Sequence, residues 1–127
     1  MTARKVLLDS SAWIELLARG TLAQGVEREM AGATLVVPTV VLFEVYRKIK
    51  RNVSEDQALS AAAFMSQHDV TALDAEVSLH AADLSIEHSL AMADSIILAH
   101  AEAQNATIVT LDNDFASFSK AKVLRQP

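Results

Sequence analysis

Short apolar runs alternate along this chain with longer stretches of mixed polarity. Val6-Leu7-Leu8, Leu35-Val36-Val37, Val70-Thr71-Ala72 and Thr107-Ile108-Val109-Thr110 are too short for helices and too apolar for loops, so they predict buried strands. Ala121 to Leu124 predicts a short fifth strand. Between them the pattern predicts helices over Ala12 to Ala18, Leu22 to Met30, Thr39 to Arg51, Glu55 to Gln67, Ala75 to Glu87 and Ala91 to Gln104. Ser10 and Ser11 are candidates to cap the first helix, and Gly20 to end it. Pro38 and Thr39 open the third helix. Ser54 opens the fourth, where Glu55 and Asp56 suit the positive end of the helix dipole.

Strands that alternate with helices and look apolar on both faces predict a parallel sheet covered on each side. The expected fold is α/β: a three-layer α/β/α sandwich around a central, mostly parallel sheet of four to five strands. In such sheets ligands bind beyond the carboxyl ends of the strands.

Composition narrows the picture. A length of 127 residues suits a single domain over 1–127, and a hydrophobic fraction of 51% supplies a core. The absence of cysteine excludes disulfides, thiolate metal sites and a cysteine nucleophile. Met-Thr-Ala-Arg-Lys leads straight into a strand, without the longer apolar stretch of a signal peptide. No apolar run approaches the roughly 20 residues that span a bilayer. The expectation is a cytoplasmic chain that does not enter membranes. A net charge of −5 opposes nucleic-acid binding over the surface as a whole. Yet Arg47, Lys48, Lys50 and Arg51 form one basic cluster, and a bound cation offsets acids.

The acids carry the candidate chemistry. Asp9 directly follows the first predicted strand, and Asp112 and Asp114 follow the fourth. Glu44 lies in the second turn of the helix after strand two, and Asp94 in the first turn of the helix that feeds strand four. In a parallel sheet these positions share the carboxyl edge. A single acid at a strand end is ordinarily a turn or cap residue. Glu44 and Asp94, however, interrupt the apolar stretches Val40-Val41-Leu42-Phe43 and Ser95-Ile96-Ile97-Leu98, where a charge needs a partner. Oxygen-only ligands favour Mg²⁺ or Mn²⁺. Such a cation activates water and offsets charge on a phosphate, as phosphodiester hydrolysis requires.

Four segments together resemble the PIN-domain ribonuclease family, and within it the VapC-type toxins of toxin–antitoxin pairs. They are Val-Leu-Leu-Asp9-Ser-Ser, Val-Pro-Thr-Val-Val-Leu-Phe-Glu44-Val, Leu-Ala-Met-Ala-Asp94-Ser-Ile-Ile-Leu-Ala, and Ala-Thr-Ile-Val-Thr110-Leu-Asp112-Asn-Asp114-Phe. The resemblance implies Mg²⁺- or Mn²⁺-dependent endoribonuclease activity, dimerisation, and inhibition by a small cognate antitoxin. It implies Asp9, Glu44 and Asp94 as catalytic and metal-holding acids, with the fourth place falling to Asp112 or Asp114 and Asp112 favoured as the closer. Asp114 is either a further ligand, a water-mediated one or a helix cap. Ser11 and Thr110 are expected to orient the carboxylates, and Arg47 and Lys48 to meet RNA phosphates near the metal.

Other readings remain in view. His68, His80, His88 and His100 lack metal-ligand spacing and are expected in surface or half-buried structural roles. Trp13 and Phe43 are expected in the core or against the antitoxin rather than stacked on a base. Alternative functions are a phosphoacceptor signalling domain, a non-toxin PIN ribonuclease in RNA processing, and a non-catalytic interaction module. Asp-Ser-Ser at positions 9–11 departs from the paired acids that phosphoacceptor domains usually carry there.

Overall fold

The computed structural model describes residues 3–126, and its strands form one five-stranded sheet. β1 (Lys5–Leu8) leads into α1 (Ser10–Leu17) and α2 (Ala23–Met30). β2 (Thr34–Pro38) is followed by α3 (Thr39–Asn52) and α4 (Glu55–Met65). β3 (Asp69–Thr71) precedes α5 (Ala75–His88) and α6 (Met92–Gln104). β4 (Ala106–Thr110), one 3-10 turn (Asn113–Phe115) and β5 (Ala121–Val123) complete the order.

The strand order is β3-β2-β1-β4-β5, and every pairing is parallel. This is the expected three-layer α/β/α sandwich, with a sheet parallel throughout. The chain starts at the centre, moves outward through β2 and β3, then crosses back to β4 and β5 on the other side. The order therefore reverses between β1 and β4, which opens a crevice at their carboxyl ends.

The central strands carry the core. Val6, Leu7, Leu8, Val36, Val37, Ile108 and Val109 are buried together with Trp13, Val41, Val45, Ile97 and Phe115. The expectation of strands apolar on both faces fails at the edges. Asp69 and Val70 of β3 are exposed, because an edge strand has a neighbour on one side only and fewer helices above it.

Three local expectations are corrected. Asp9, not Ser10 or Ser11, caps α1: its carboxylate accepts from the Ala12 amide at 3.0 Å. The residue that turns left-handed after α1 is Arg19 (φ 55°), not Gly20. The Gly20 amide instead donates back to Glu15 O at 3.0 Å, and the Arg19 amide to Leu16 O at 3.2 Å, in the two-bond pattern that closes many helices. A Cβ at Gly20 would meet only the carboxylate of Glu15, the far end of a flexible side chain, which would have to shift from its place accepting the Leu22 amide at 2.8 Å. Finally, His100 is fully buried rather than on or near the surface. Its Nδ1 lies 3.3 Å from the Thr71 hydroxyl, linking α6 to edge strand β3.

Candidate metal centre

The crevice between β1 and β4 is built from hydroxyls and carboxylates. The last β1 residue, Leu8, pairs with Val109, and the Asp9 amide donates to Val109 O at 3.2 Å. This pairing sets Asp9 beside Thr110. Asp9 is 4% exposed, and its carboxylate accepts three hydrogen bonds. Ser11 Oγ donates to Oδ1 at 2.7 Å, the Ala12 amide to the same atom, and Thr110 Oγ1 to Oδ2 at 2.5 Å.

The two hydroxyls also accept. Ser11 Oγ receives the Leu111 amide at 3.0 Å, and Thr110 Oγ1 receives the Asp112 amide at 2.9 Å. Through these bonds the segment after β4 is tied to the carboxylate after β1. Because Asp9 and Thr110 are buried, each bond carries more weight than it would in water.

Asp112 turns the chain after β4. Its Oδ1 accepts from the Asp114 amide at 2.9 Å and so caps the 3-10 turn. The capping role considered for Asp114 thus falls to Asp112, whose side chain precedes the turn. Asp94, in the first turn of α6, faces both. Asp94, Asp112 and Asp114 can each offer a carboxylate oxygen such that all three atoms lie within 4.8 Å of one another. Asp9 and Glu44 stand outside that tight group but within electrostatic range of it: Asp112 repels Asp9, and Asp94 and Asp9 repel Glu44.

Burial is the main force on these acids. It pushes the Asp9, Glu44 and Asp94 carboxyls above the usual carboxylate range. Neighbouring acids push each the same way, while the Thr110 and Ser11 hydroxyls pull Asp9 partly back. Ser10 plays that opposing part at Glu44, a contact the sequence did not suggest. Glu44 Oε1 is buried and has no hydrogen-bond partner among the described residues. An orphaned carboxylate oxygen beside a cluster of acids is costly unless a cation satisfies it. The all-oxygen donor set and the orphaned Glu44 oxygen therefore fit a hard divalent ion such as Mg²⁺ or Mn²⁺.

The remaining candidates divide. Arg47 and Lys48 are exposed and line the same hollow as Ser10, Ser11 and Glu44, a space of about 480 Å³. Arg51 and Asn52 join them there, from one helical turn further along α3. Trp13 lies in the core, as expected. Phe43 does not: it is 64% exposed at the rim of the hollow. Buried Val41 and Val45 mark the inner face of α3, and Phe43 sits midway between them in sequence, which turns it outward.

Comparison with known proteins bears on this arrangement. No curated protein sequence matches the chain. Solved structures match its fold. A toxin–antitoxin complex from Klebsiella pneumoniae has a chain 20% identical with a TM-score of 0.81, the match covering 96% of this chain and 99% of that one. VapC20 of Mycobacterium tuberculosis, a sarcin-ricin loop cleaving toxin, is 19% identical with a TM-score of 0.74, covering 90% and 95%. A chain of VapBC2 from Rickettsia felis, solved bound to a DNA fragment from their promoter, is 19% identical with a TM-score of 0.75, covering 94% and 97%. The model of the PIN domain matches residues 6–121, a span that includes every acid of the crevice. The chain belongs to the PIN domain family.

Proposed function

We propose that this protein is a divalent-metal-dependent endoribonuclease and the toxin of a type II toxin–antitoxin pair. The observation that carries the nuclease reading is the cluster of Asp94, Asp112 and Asp114, with Asp9 and Glu44 within electrostatic range of it and Glu44 Oε1 buried without a hydrogen-bond partner among the described residues. Asp94, Asp112 and Asp114 would hold the ion, with Asp9 and Glu44 flanking it. Mg²⁺ or Mn²⁺ bound there supplies Lewis acidity toward the scissile phosphate and activates water.

The residues of the chain do the rest. Ser11 and Thr110 fix Asp9, and through their acceptor lone pairs they fix the segment that carries Asp112. Glu44 Oε1 has no donor of its own and its carboxyl holds a proton more readily than an exposed glutamate, which suits it to take the proton from an attacking water. Arg47 and Lys48 are exposed on the rim, where they meet phosphates flanking the cut. The same surface would receive the RNA, while a cognate antitoxin and a second copy of the chain are the protein partners we assign. The toxin role and the antitoxin rest on the likeness to toxin–antitoxin structures, and the homodimer on the family resemblance of the sequence. We place the protein in the cytoplasm, where its RNA substrate resides.

A phosphoacceptor role is disfavoured by Asp9 itself. An acceptor carboxylate must present a free oxygen to a phosphodonor, but Asp9 is almost wholly enclosed and both its oxygens accept hydrogen bonds.

The test is cleavage of single-stranded and structured RNA by the purified protein with Mn²⁺ or Mg²⁺. We expect Asp94→Ala to lower cleavage by at least a hundredfold while circular dichroism stays native, and excess chelator to abolish it. Full activity of Asp94→Ala, or cleavage undiminished in chelator, overturns the nuclease reading. Growth arrest on expression, relieved by the product of an adjacent small reading frame, tests the toxin assignment.

A further inference from the structure

We infer that Phe43 is a base-stacking platform and that Arg47, Lys50 and Arg51 form a phosphate track beside it, so that α3 holds the single-stranded nucleotides adjoining the cut. The inference rests on the nuclease reading for its ligand, and adds to it a subsite with its own chemistry.

Three observations carry it. First, Phe43 is 64% exposed although it adjoins Glu44 in sequence. Exposure alone is common in this chain, but Phe43 is an exposed ring that lines the same hollow as Glu44 and the α3 cations, and such a ring offers a face on which an unpaired base stacks. Second, Phe43, Arg47 and Arg51 line two hollows at once. One is the hollow that contains Glu44; the other, of about 650 Å³, lies toward Tyr46, Lys50 and α4. The two are therefore adjacent and share one wall, which leads from Glu44 outward along α3. Third, the wall is cationic on a protein of net charge −5. Four of its 11 Lys and Arg residues fall between positions 47 and 51.

Helical spacing explains the alignment. Residues 43, 47 and 51 recur every fourth position and share one face of α3. Each step advances about 6 Å along the axis. Lys50 lies 5.6 Å from the centre of the Tyr46 ring and 3.5 Å from Glu55, so its charge is partly engaged. Among the described residues, Arg47 and Arg51 have no ion-pair partner. A ring flanked by free guanidinium groups is the combination that binds single strands, in which unpaired bases stack and the backbone is neutralised. A protein segment rich in acids could meet the same cations, but the continuity of the wall with the acid crevice favours the polymer that is cut there.

The test separates binding from cleavage. Trp13, the only tryptophan, is fully buried, so the indole introduced by Phe43→Trp is the solvent-facing reporter. In excess chelator, titration of Phe43→Trp with a single-stranded oligoribonucleotide should quench that fluorescence. Phe43→Ala should weaken binding by about tenfold, with Phe43→Trp retaining it. Arg47→Ala with Arg51→Ala should lower the slope of log affinity against log salt by roughly 1.4, as expected when two phosphates of a single strand are no longer neutralised. With Mn²⁺ present, Phe43→Ala should raise KM and leave kcat near wild type.

Unchanged binding and KM in Phe43→Ala overturns the platform. So does quenching by a polyglutamate peptide and not by the oligoribonucleotide, which assigns the surface to a protein partner. Binding with the stated signatures but no cleavage by the wild type sinks the nuclease reading and leaves the subsite standing.

Discussion

Thr110 shows how much of the crevice depends on one side chain. It is fully buried, donates to Asp9 and accepts from the Asp112 amide. Thr110→Val keeps the shape of the side chain and removes both bonds. An unpaired buried carboxylate oxygen and an unpaired amide then remain, at a cost of about 1–3 kcal/mol. The variant should lose stability of that order in chemical denaturation. Mn²⁺ affinity should fall by about 10–100-fold, as when outer partners of metal ligands are removed. Calorimetric titration that returns wild-type affinity would show that Thr110 does not position the metal-holding acids. Ser11 acts in parallel but is half-buried, so Ser11→Ala should cost less.

At the scale of elements, the helix ends decide what is tolerated. α4 and α5 begin with side-chain caps, Ser54 to the Gln57 amide at 3.1 Å and Asp74 to the Val77 amide at 2.8 Å. α6 has Ala91 as its N-cap and no side-chain cap, and Asp94 stands in its first turn, near the positive end of the dipole. α1 ends on Arg19 in a left-handed conformation that a Cβ disfavours by about 1 kcal/mol. Arg19→Gly should therefore raise stability by up to about 1 kcal/mol, with RNA cleavage unaltered. A denaturation midpoint below wild type would show that the Arg19 side chain does more than close the helix. Here the sequence was informative about where α1 stops and misleading about how. Glycine is the usual left-handed residue, but here Arg19 takes that conformation and Gly20 follows it, its amide bonded back to Glu15 O.

For the whole molecule, burial of the acids makes stability depend on pH. Asp9, Glu44 and Asp94 all have folded-state carboxyls raised above the ordinary range, chiefly by burial. Protonated, they favour the native state. That contribution is complete below the unfolded carboxylate range and is lost as pH rises through the raised values. The metal-free protein should thus be penalised at neutral pH by its own crevice. A bound divalent cation reverses the penalty by pairing with the ionised forms, and protons compete with it. The rise in melting temperature produced by Mn²⁺ should therefore grow as pH climbs from the ordinary carboxylate range toward neutrality. Thermal melts with and without chelator measure it. A metal-induced rise that stays constant across that range would remove these carboxyls from the metal site.

Sequence pattern alone determined the α/β class, the strand-helix alternation and the five acids, because apolar runs of strand length and charges inside apolar stretches are local signals. Glu44 and Asp94 were legible in this way, as charges that needed a partner. Only the tertiary structure decided the order β3-β2-β1-β4-β5, and with it the reversal that brings Asp9 and Thr110 together from 101 residues apart. It also decided that Asp114 joins Asp94 and Asp112 while Asp112 caps the turn, since two acids at adjacent alternate positions look equivalent until the chain bends. The exposure of Phe43, which removes only the core from its two expected places, and the full burial of His100 were hidden for the same reason. Hydrophobicity says that a side chain prefers burial, but which face of α3 or α6 meets the sheet is fixed by packing across the whole chain.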